Sequence, residues 1–390
     1  MTCPSDVSPK TGHHAYDRDV IGLLGIPLDI ISLEEASHSL THVKPSSLPY
    51  WVSTVNLDWL VMAEDDHDFR ANILRSDLVT CDGAPLVKLA HLMGVSLPGR
   101  VTGADLFETL RNRNDISLKT YFFGGRGNSA ENATDALEQH PGGLLPVGGV
   151  NPGFGDLQAL SAKSFIDEIN GKAPDLLIIA LGAHKGQAWI NANRHQLKAK
   201  IVSHWGAVVD FAAGDVARGP KWVQRLHAEW LWRIGQDPAL WKRYFQDGLK
   251  LPLFIKRART VRKALTALGQ KPRHPLHITE NAGHIILEGD LLEEDLSPLR
   301  QALISAESQN TPLTITLGQN AHLGLKAIGL LLIAHGRWMD RNLRYEIITA
   351  DTNLRMLLHV NRLPVSSAQS QPPLEPPSGP KGNRHSEVSA

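Results

Sequence analysis

Residues 51–83 read WVSTVNLDWLVMAEDDHDFRANILRSDLVTCDG, and the rest of the chain is organised around this stretch. It opens as an apolar run into Thr54-Val55-Asn56, continues at helical spacing (Leu57, Leu60, Val61, then Phe69, Ile73, Leu74) and returns as Leu78-Val79-Thr80-Cys81 into Asp82-Gly83. The pattern predicts a strand, a helical crossover and a second strand. Parallel strands joined this way finish on one edge, so Thr54, Asn56 and Asp82 are expected to project into the crevice where open α/β sheets bind ligands. A carboxylate beside a hydroxyl and an amide makes a candidate general-base site. Each residue also has an ordinary structural reading, because Thr and Asn cap helices that follow strands and Asp-Gly is a common turn.

Outward from this stretch the same alternation continues. Upstream, residues 20–29 suggest a strand and turn, and Ser32 begins a helix as its cap. Downstream, a helix leads to Leu97-Pro98-Gly99-Arg100-Val101-Thr102-Gly103, where Arg100 between two glycine-bearing turns is placed to meet an anionic ligand. The strand at 119–123 runs into Gly124-Gly125-Arg126-Gly127-Asn128-Ser129-Ala130, whose backbone donors at a helix start suit a diphosphate. The dinucleotide fingerprint also needs an acid about twenty residues on. The region 144–149, Leu-Leu-Pro-Val-Gly-Gly, has none, so NAD is disfavoured relative to another phosphate ligand. Residues 175–182 read as a fully buried parallel strand ending at a candidate ligand loop, Ala183-His184-Lys185-Gly186-Gln187. The strand at 200–206 is followed by Asp210, either a helix cap or a reader of a base or sugar. Asp66-His67-Asp68 and Asp17-Arg18-Asp19 resemble metal-binding acid pairs. Neither closes an apolar strand, so helix capping is the better reading, and no metal is expected.

The chain has 390 residues, 42% hydrophobic and 21% charged, with zero net charge, an ordinary balance for a soluble protein. Its charge is unevenly spread. Residues 218–273 hold fourteen Lys or Arg against three acids, a local excess of +11 that the remainder cancels. Trp222, Trp230, Trp232, Trp241, Tyr244 and Phe254 interleave with these cations, and Pro238 and Pro252 should break the helices. Basic and aromatic side chains together suit an anionic bilayer surface, while a helical flap packed on the core explains the same residues without one. Only Cys3 and Cys81 are present, which fits the reducing cytoplasm. No secretory signal and no spanning helix are expected.

Five regions follow: a polar, disordered tail over 1–18, a doubly wound Rossmann-like α/β domain over 19–215, a basic Trp-rich helical appendage over 216–274, a second α/β domain over 275–363, and a disordered Pro- and Ser-rich tail over 364–390.

With these motifs placed, residues from about 20 to 246 resemble the WecG/TagA/CpsF family, glycosyltransferase family 26. The resemblance is carried by an ordered series: Gly25-x-Pro27, Glu34-Glu35, Thr54-x-Asn56, Asp82-Gly83, Arg100-Val101-x-Gly103-x-Asp105, Phe123-Gly124-Gly125, Leu181-Gly182, Val209-Asp210-Phe211-x-Ala213-Gly214, Arg218-x-Pro220-x-Trp222, Glu229-Trp230-x-x-Arg233 and Asp237-Pro238 before Arg243. It implies inverting transfer of a sugar from a UDP-linked donor to a polyprenyl-diphosphate-linked sugar at the inner membrane face, without a metal or other cofactor. By the resemblance Asp82 is the base, Thr54 and Asn56 line the pocket, and Arg233 and Arg243 close over the donor diphosphate. Arg100, Gly124, Gly125, Gln187 and Asp210 complete the expected donor site. The chain departs from the family pattern where Gly186 replaces an active-site Gln. Either Gln187 covers the lost amide, or the pocket holds a different sugar, or turnover is impaired.

Residues 276–362 resemble a STAS domain. Gly324-Leu325-Lys326-Ala327-Ile328-Gly329 stands where that family carries its phosphorylatable serine, so docking is expected rather than a phosphorylation switch. The leading expectation is a membrane-peripheral glycosyltransferase, with an anionic membrane surface and a protein partner for the STAS-like part. Its rival is a scaffold that binds a UDP-sugar without turnover. Nucleic-acid binding would leave the pocket motifs without a purpose.

Overall fold

A computed structural model describes residues 14–140, 142–214, 219–220, 223, 229–238, 240–270, 273–291, 295–318 and 320–366. Strands β1 (Val20–Leu23) and β2 (Ile26–Asp29) form an antiparallel hairpin, in which Leu23 faces Ile26 across a two-residue turn. Leu24 and Gly25 both have positive φ, +51° and +100°, as such tight hairpins require.

The main sheet follows: β3 (Tyr50–Val55), β4 (Leu78–Cys81), β5 (Leu118–Gly124), β6 (Leu144–Val150), β7 (Leu176–Ala180) and β8 (Ile201–His204). All its pairings are parallel, in the order β4-β3-β8-β7-β5-β6. Parallel strands covered on both faces read as continuous apolar runs. The segment Leu176-Leu177-Ile178-Ile179 is wholly buried, its alternate residues serving two different cores. One core holds residues of helices Leu33–Thr41, Gly103–Arg111, Ser129–Gln139 and Gly206–Ala212. The other takes residues of Lys163–Lys172 and Ala183–Asn193. Because β8 lies between β3 and β7, the carboxyl ends of β4, β3, β8 and β7 adjoin along one edge.

Strands β9 (His277–Asn281), β10 (His284–Glu288), β12 (Leu313–Leu317), β14 (Tyr345–Thr349) and β15 (Val365–Ser366) build a second sheet in the order β15-β14-β12-β10-β9. It is parallel except for β9, while β11 (Asp290–Leu291) and β13 (His322–Leu323) pair separately. Helices Ser297–Gln309, Leu325–Asp340 and Thr352–Val360 accompany it.

This second unit does not hang from the first by a linker. A single apolar core runs from Val20, Ile21 and Leu74, through Ala258 and Val261, to Ile328, Leu331 and Leu357. Backbones approach closely at glycines: a Cβ at Gly329 would stand 2.8 Å from Val20 Cγ2, one at Gly22 2.3 Å from Ile328 Cγ2, and one at Gly336 2.6 Å from the Leu74 carbonyl oxygen. Polar groups close the same seam. Buried Arg70 donates to the carbonyls of Gly25 and Arg362, and Arg362 donates to those of Ala63 and Glu64.

Three expectations are corrected here. The polar tail ends before residue 18: a short 3₁₀ helix spans Ala15–Asp17, Tyr16 is fully buried, and Arg300 donates to the Tyr16 carbonyl. At the other end Val365–Ser366 pairs with β14, so order extends past 364. Pro252 does not break its helix, which runs Leu240–Gly269 because Phe254, Ala258, Val261, Ala264 and Leu268 are held in the core.

Candidate functional site

The register of β3 on β4 pairs Thr54 with Thr80 and Val55 with Cys81, and the Asp82 amide continues the ladder by donating to the Val55 carbonyl at 2.7 Å. One step further along this register lie Asn56 and Asp82, side by side at the carboxyl edge. Asn56 caps helix Leu57–Asp65, its Oδ1 accepting from the Trp59 amide at 3.1 Å, so its structural reading holds at the edge of the crevice. Thr54 is buried and Asp82 half-buried. Burial and the neighbouring Asp82 charge push the Cys81 thiol up to about 12, which keeps it protonated.

The loop carrying Arg100 reaches the same place, because the Val101 amide donates to the Cys81 carbonyl at 2.7 Å. Gly124 and Gly125 form the turn out of β5 with φ near +100°. A Cβ at Gly124 would stand 2.6 Å from the Ala180 carbonyl oxygen, and one at Gly125 3.1 Å from Val209. These glycines are thus required by the packing of β5 on β7 and helix Gly206–Ala212, whatever ligand they meet. Asp210 lies on that helix, 3.9 Å from Arg126.

Residues 229–238 and 240–243 cover this edge, and among the described residues Arg100 pairs with Glu229 at 2.7 Å, Arg126 with Asp237 at 2.8 Å and Arg243 with Asp58 at 3.9 Å. Beside the Arg126–Asp237 pair a cavity of about 50 Å³ is lined by Arg126, Ala207, Asp210, Phe211, Gln236, Asp237 and Leu240. Arg233 sits on helix Glu229–Gln236, but its side chain, like Arg218 and Trp222, falls outside the described residues. Arg126 and Asp58 join the site without having been singled out from sequence. The signal for Arg126 was available in the Gly-Gly-Arg-Gly turn, whereas Asp58 depends on where a distant helix lands.

Gln187 is corrected. It is fully buried, with its Oε1 3.4 Å from the Ser53 hydroxyl that donates to it, and Ser53 in turn bonds Ser76. It faces the interior behind β3 and does not stand in for an amide at position 186. His184 and Asp66 pair at 2.6 Å, and Asp66 caps helix His67–Leu74, as its capping role predicts. Among the described residues no group of three or more His, Cys, Asp or Glu is arranged to hold a metal.

An N-acetylglucosaminyldiphosphoundecaprenol N-acetyl-beta-D-mannosaminyltransferase of Bacillus spizizenii is 25% identical over 264 residues, spanning 66% of this chain and 97% of that one. An enzyme of the same name from Staphylococcus aureus is 23% identical over 252 residues, 63% of this chain and 95% of its own. A solved GTP-binding protein of Sulfolobus solfataricus covers 65% of this chain and 94% of its own at 12% identity, but its TM-score of 0.18 carries no argument. The glycosyl transferase WecG/TagA/CpsF family model matches residues 21–266, from the hairpin through the long helix that seals the core, and the chain belongs to that family.

Proposed function

We propose that this protein transfers an N-acetylmannosamine-type sugar from a UDP-sugar to a sugar carried on a polyprenyl diphosphate. The observation that carries the reading is the juxtaposition of Asp82 and Asn56 at the carboxyl edge, with Arg100, Arg126 and Arg243 in ion pairs along the segment that covers it. In this mechanism Asp82 takes the proton of the acceptor hydroxyl as its oxygen bonds to the anomeric carbon. The bond from that carbon to the UDP oxygen breaks on the opposite face, giving inversion. Arg126, Arg100, Arg243 and Arg233 supply positive charge to the departing diphosphate. Thr54 and Asn56 shape the pocket, and Gly124, Gly125 and Asp210 lie on the donor side.

The cavity beside Arg126 and Asp210, about 50 Å³, is far below the ~300–1,000 Å³ that small-molecule sites occupy, so this reading requires residues 229–238 and 240–243 to move to admit the donor. The ion pairs to Glu229, Asp237 and Asp58 then exchange carboxylate for phosphate. The same segment meets the lipid. No helix among the described residues is long and apolar enough to cross a membrane, yet Trp230, Leu231, Trp241, Phe245, Leu249 and Leu253 are exposed. They favour a peripheral seat on the inner membrane face. The C-terminal unit we read as STAS-like, with the chain's own hairpin as the partner of its helix Leu325–Asp340.

A transfer assay with UDP-sugars and a lipid-diphosphate-sugar acceptor tests the reading. Asp82→Asn should lower turnover by ~100-fold or more while UDP affinity stays within about twofold. Wild-type turnover in that variant would remove Asp82 from the role of base.

A further inference from the structure

His204 is the last residue of β8, at the carboxyl edge between β3 and β7, and it is 7% exposed. Its ring lies 6.0 Å from that of Trp59, on the helix that Asn56 caps. On its other side it lies against backbone. A Cβ at Gly186 would stand 2.2 Å from His204 Cδ2 and 3.1 Å from Nε2, and one at Gly206 3.3 Å from Nε2. The ring therefore fills the space that a side chain at position 186 would need, and any larger residue at 186 has to expel it. Among the described residues nothing hydrogen-bonds Nε2, although the atom is buried.

A buried polar nitrogen without a partner costs stability, and an apolar side chain of similar shape would avoid that cost. His204 stands at the carboxyl end of β8, beside the β3 strand that carries Thr54 and ends next to Asn56, so a ligand at that edge would be within reach of the ring. We propose that His204 is a positioning residue of the sugar site, whose Nε2 hydrogen-bonds the transferred sugar and which takes the place open at Gly186. The inference rests on the glycosyl-transfer reading above. Burial lowers the imidazole to about 4, so it is neutral at physiological pH. A neutral ring offers no charge to a diphosphate, and a hydroxyl or acetamido group of the sugar is the matching partner.

Three forms of the full chain, wild type, His204→Leu and His204→Gln, decide it. Each is measured for melting temperature, for affinity to UDP and to UDP-N-acetylmannosamine, and for kcat and KM. His204→Leu should melt at the same or a higher temperature, bind UDP as wild type does, lose the extra affinity that the sugar confers, and fall at least tenfold in kcat/KM. His204→Gln, which restores an amide near the Nε2 position, should recover most of that loss. If His204→Leu keeps wild-type sugar discrimination and kcat/KM, or fails to fold, the ring is only structural and the inference is overturned. If wild type binds UDP-sugar better than UDP yet transfers nothing, the transfer reading fails, while the affinity difference still tests His204. If wild type binds neither, both fall together.

Discussion

Asp247 is a single residue that works against the fold. It is 4% exposed on the long helix, facing Asp58 and Arg243, and burial together with Asp58 pushes its carboxyl up to about 6. The unfolded value is 3.8, so between about 4 and about 6 the folded chain holds more protons than the unfolded one, and stability falls as pH rises through that window. Asp247→Asn should therefore stabilise the protein by about 1–2 kcal/mol at pH 8 and change little at pH 4, read from thermal melts at the two values. An equal shift at both pH values would place the effect in packing instead of charge. At this scale the sequence was partly legible. Asn56 and Asp82 were placed correctly because strand ends are readable from apolar runs. Gln187 was not, because neighbouring helix positions differ by about 100° in direction: Gly186 faces His204, and Gln187 turns to Ser53.

The helix Leu240–Gly269 shows the same limit one level up. Proline forbids one backbone hydrogen bond and crowds the preceding turn, which is why Pro252 reads as a break. Burial of its later half outweighs that local cost, a term that no window of sequence contains. What local spacing does show is the outward face, where Trp241, Phe245, Leu249 and Leu253 recur every four residues. Further along the helix a groove of about 500 Å³ is lined by Pro252, Ile255, Lys256, Arg259, Thr260 and Lys263. One helix thus carries an apolar outward half and a basic half, and under the membrane reading proposed above the first would meet acyl chains and the second headgroups. Salt should separate the two contributions, because it screens the basic half and leaves the apolar half intact. A Trp241→Ser/Phe245→Ser/Leu249→Ser variant should lose the salt-resistant part of vesicle binding and keep transfer to a water-soluble acceptor. Unchanged co-sedimentation at high salt would overturn the assignment of membrane contact to this face.

For the molecule as a whole, the boundary near residue 274 is real in sequence and absent in packing. That residues 275–363 form a second α/β unit was legible from alternation, but its partner was not, because residues 20–29 meet residues 325–363 across three hundred positions of chain. Periodicity tells which face of an element is apolar and says nothing of what covers it. The consequence is energetic. Val20, Ile21, Leu23, Leu24, Ile26 and Leu28 are each at most 3% exposed. Full burial of such a side chain stabilises by ~1.5–3 kcal/mol, so the six together approach ~10 kcal/mol, the scale of a whole domain's stability. Even if half of that cover comes from within the first unit, ending the chain at residue 274 removes ~5 kcal/mol and leaves Arg70 without the Arg362 carbonyl. The shortened chain should aggregate or melt at least 10 °C below the full protein, with transfer lost for that reason, although Asp82 and Arg243 remain. Calorimetry of the full chain should accordingly show one cooperative transition. Gly329→Val, which drives a side chain into Val20, should weaken the same seam by ~1–3 kcal/mol without removing it. A chain ending at 274 that stays monodisperse, melts like the full protein and transfers sugar at the wild-type rate would show that the C-terminal unit is an attachment to the enzyme and not part of its core.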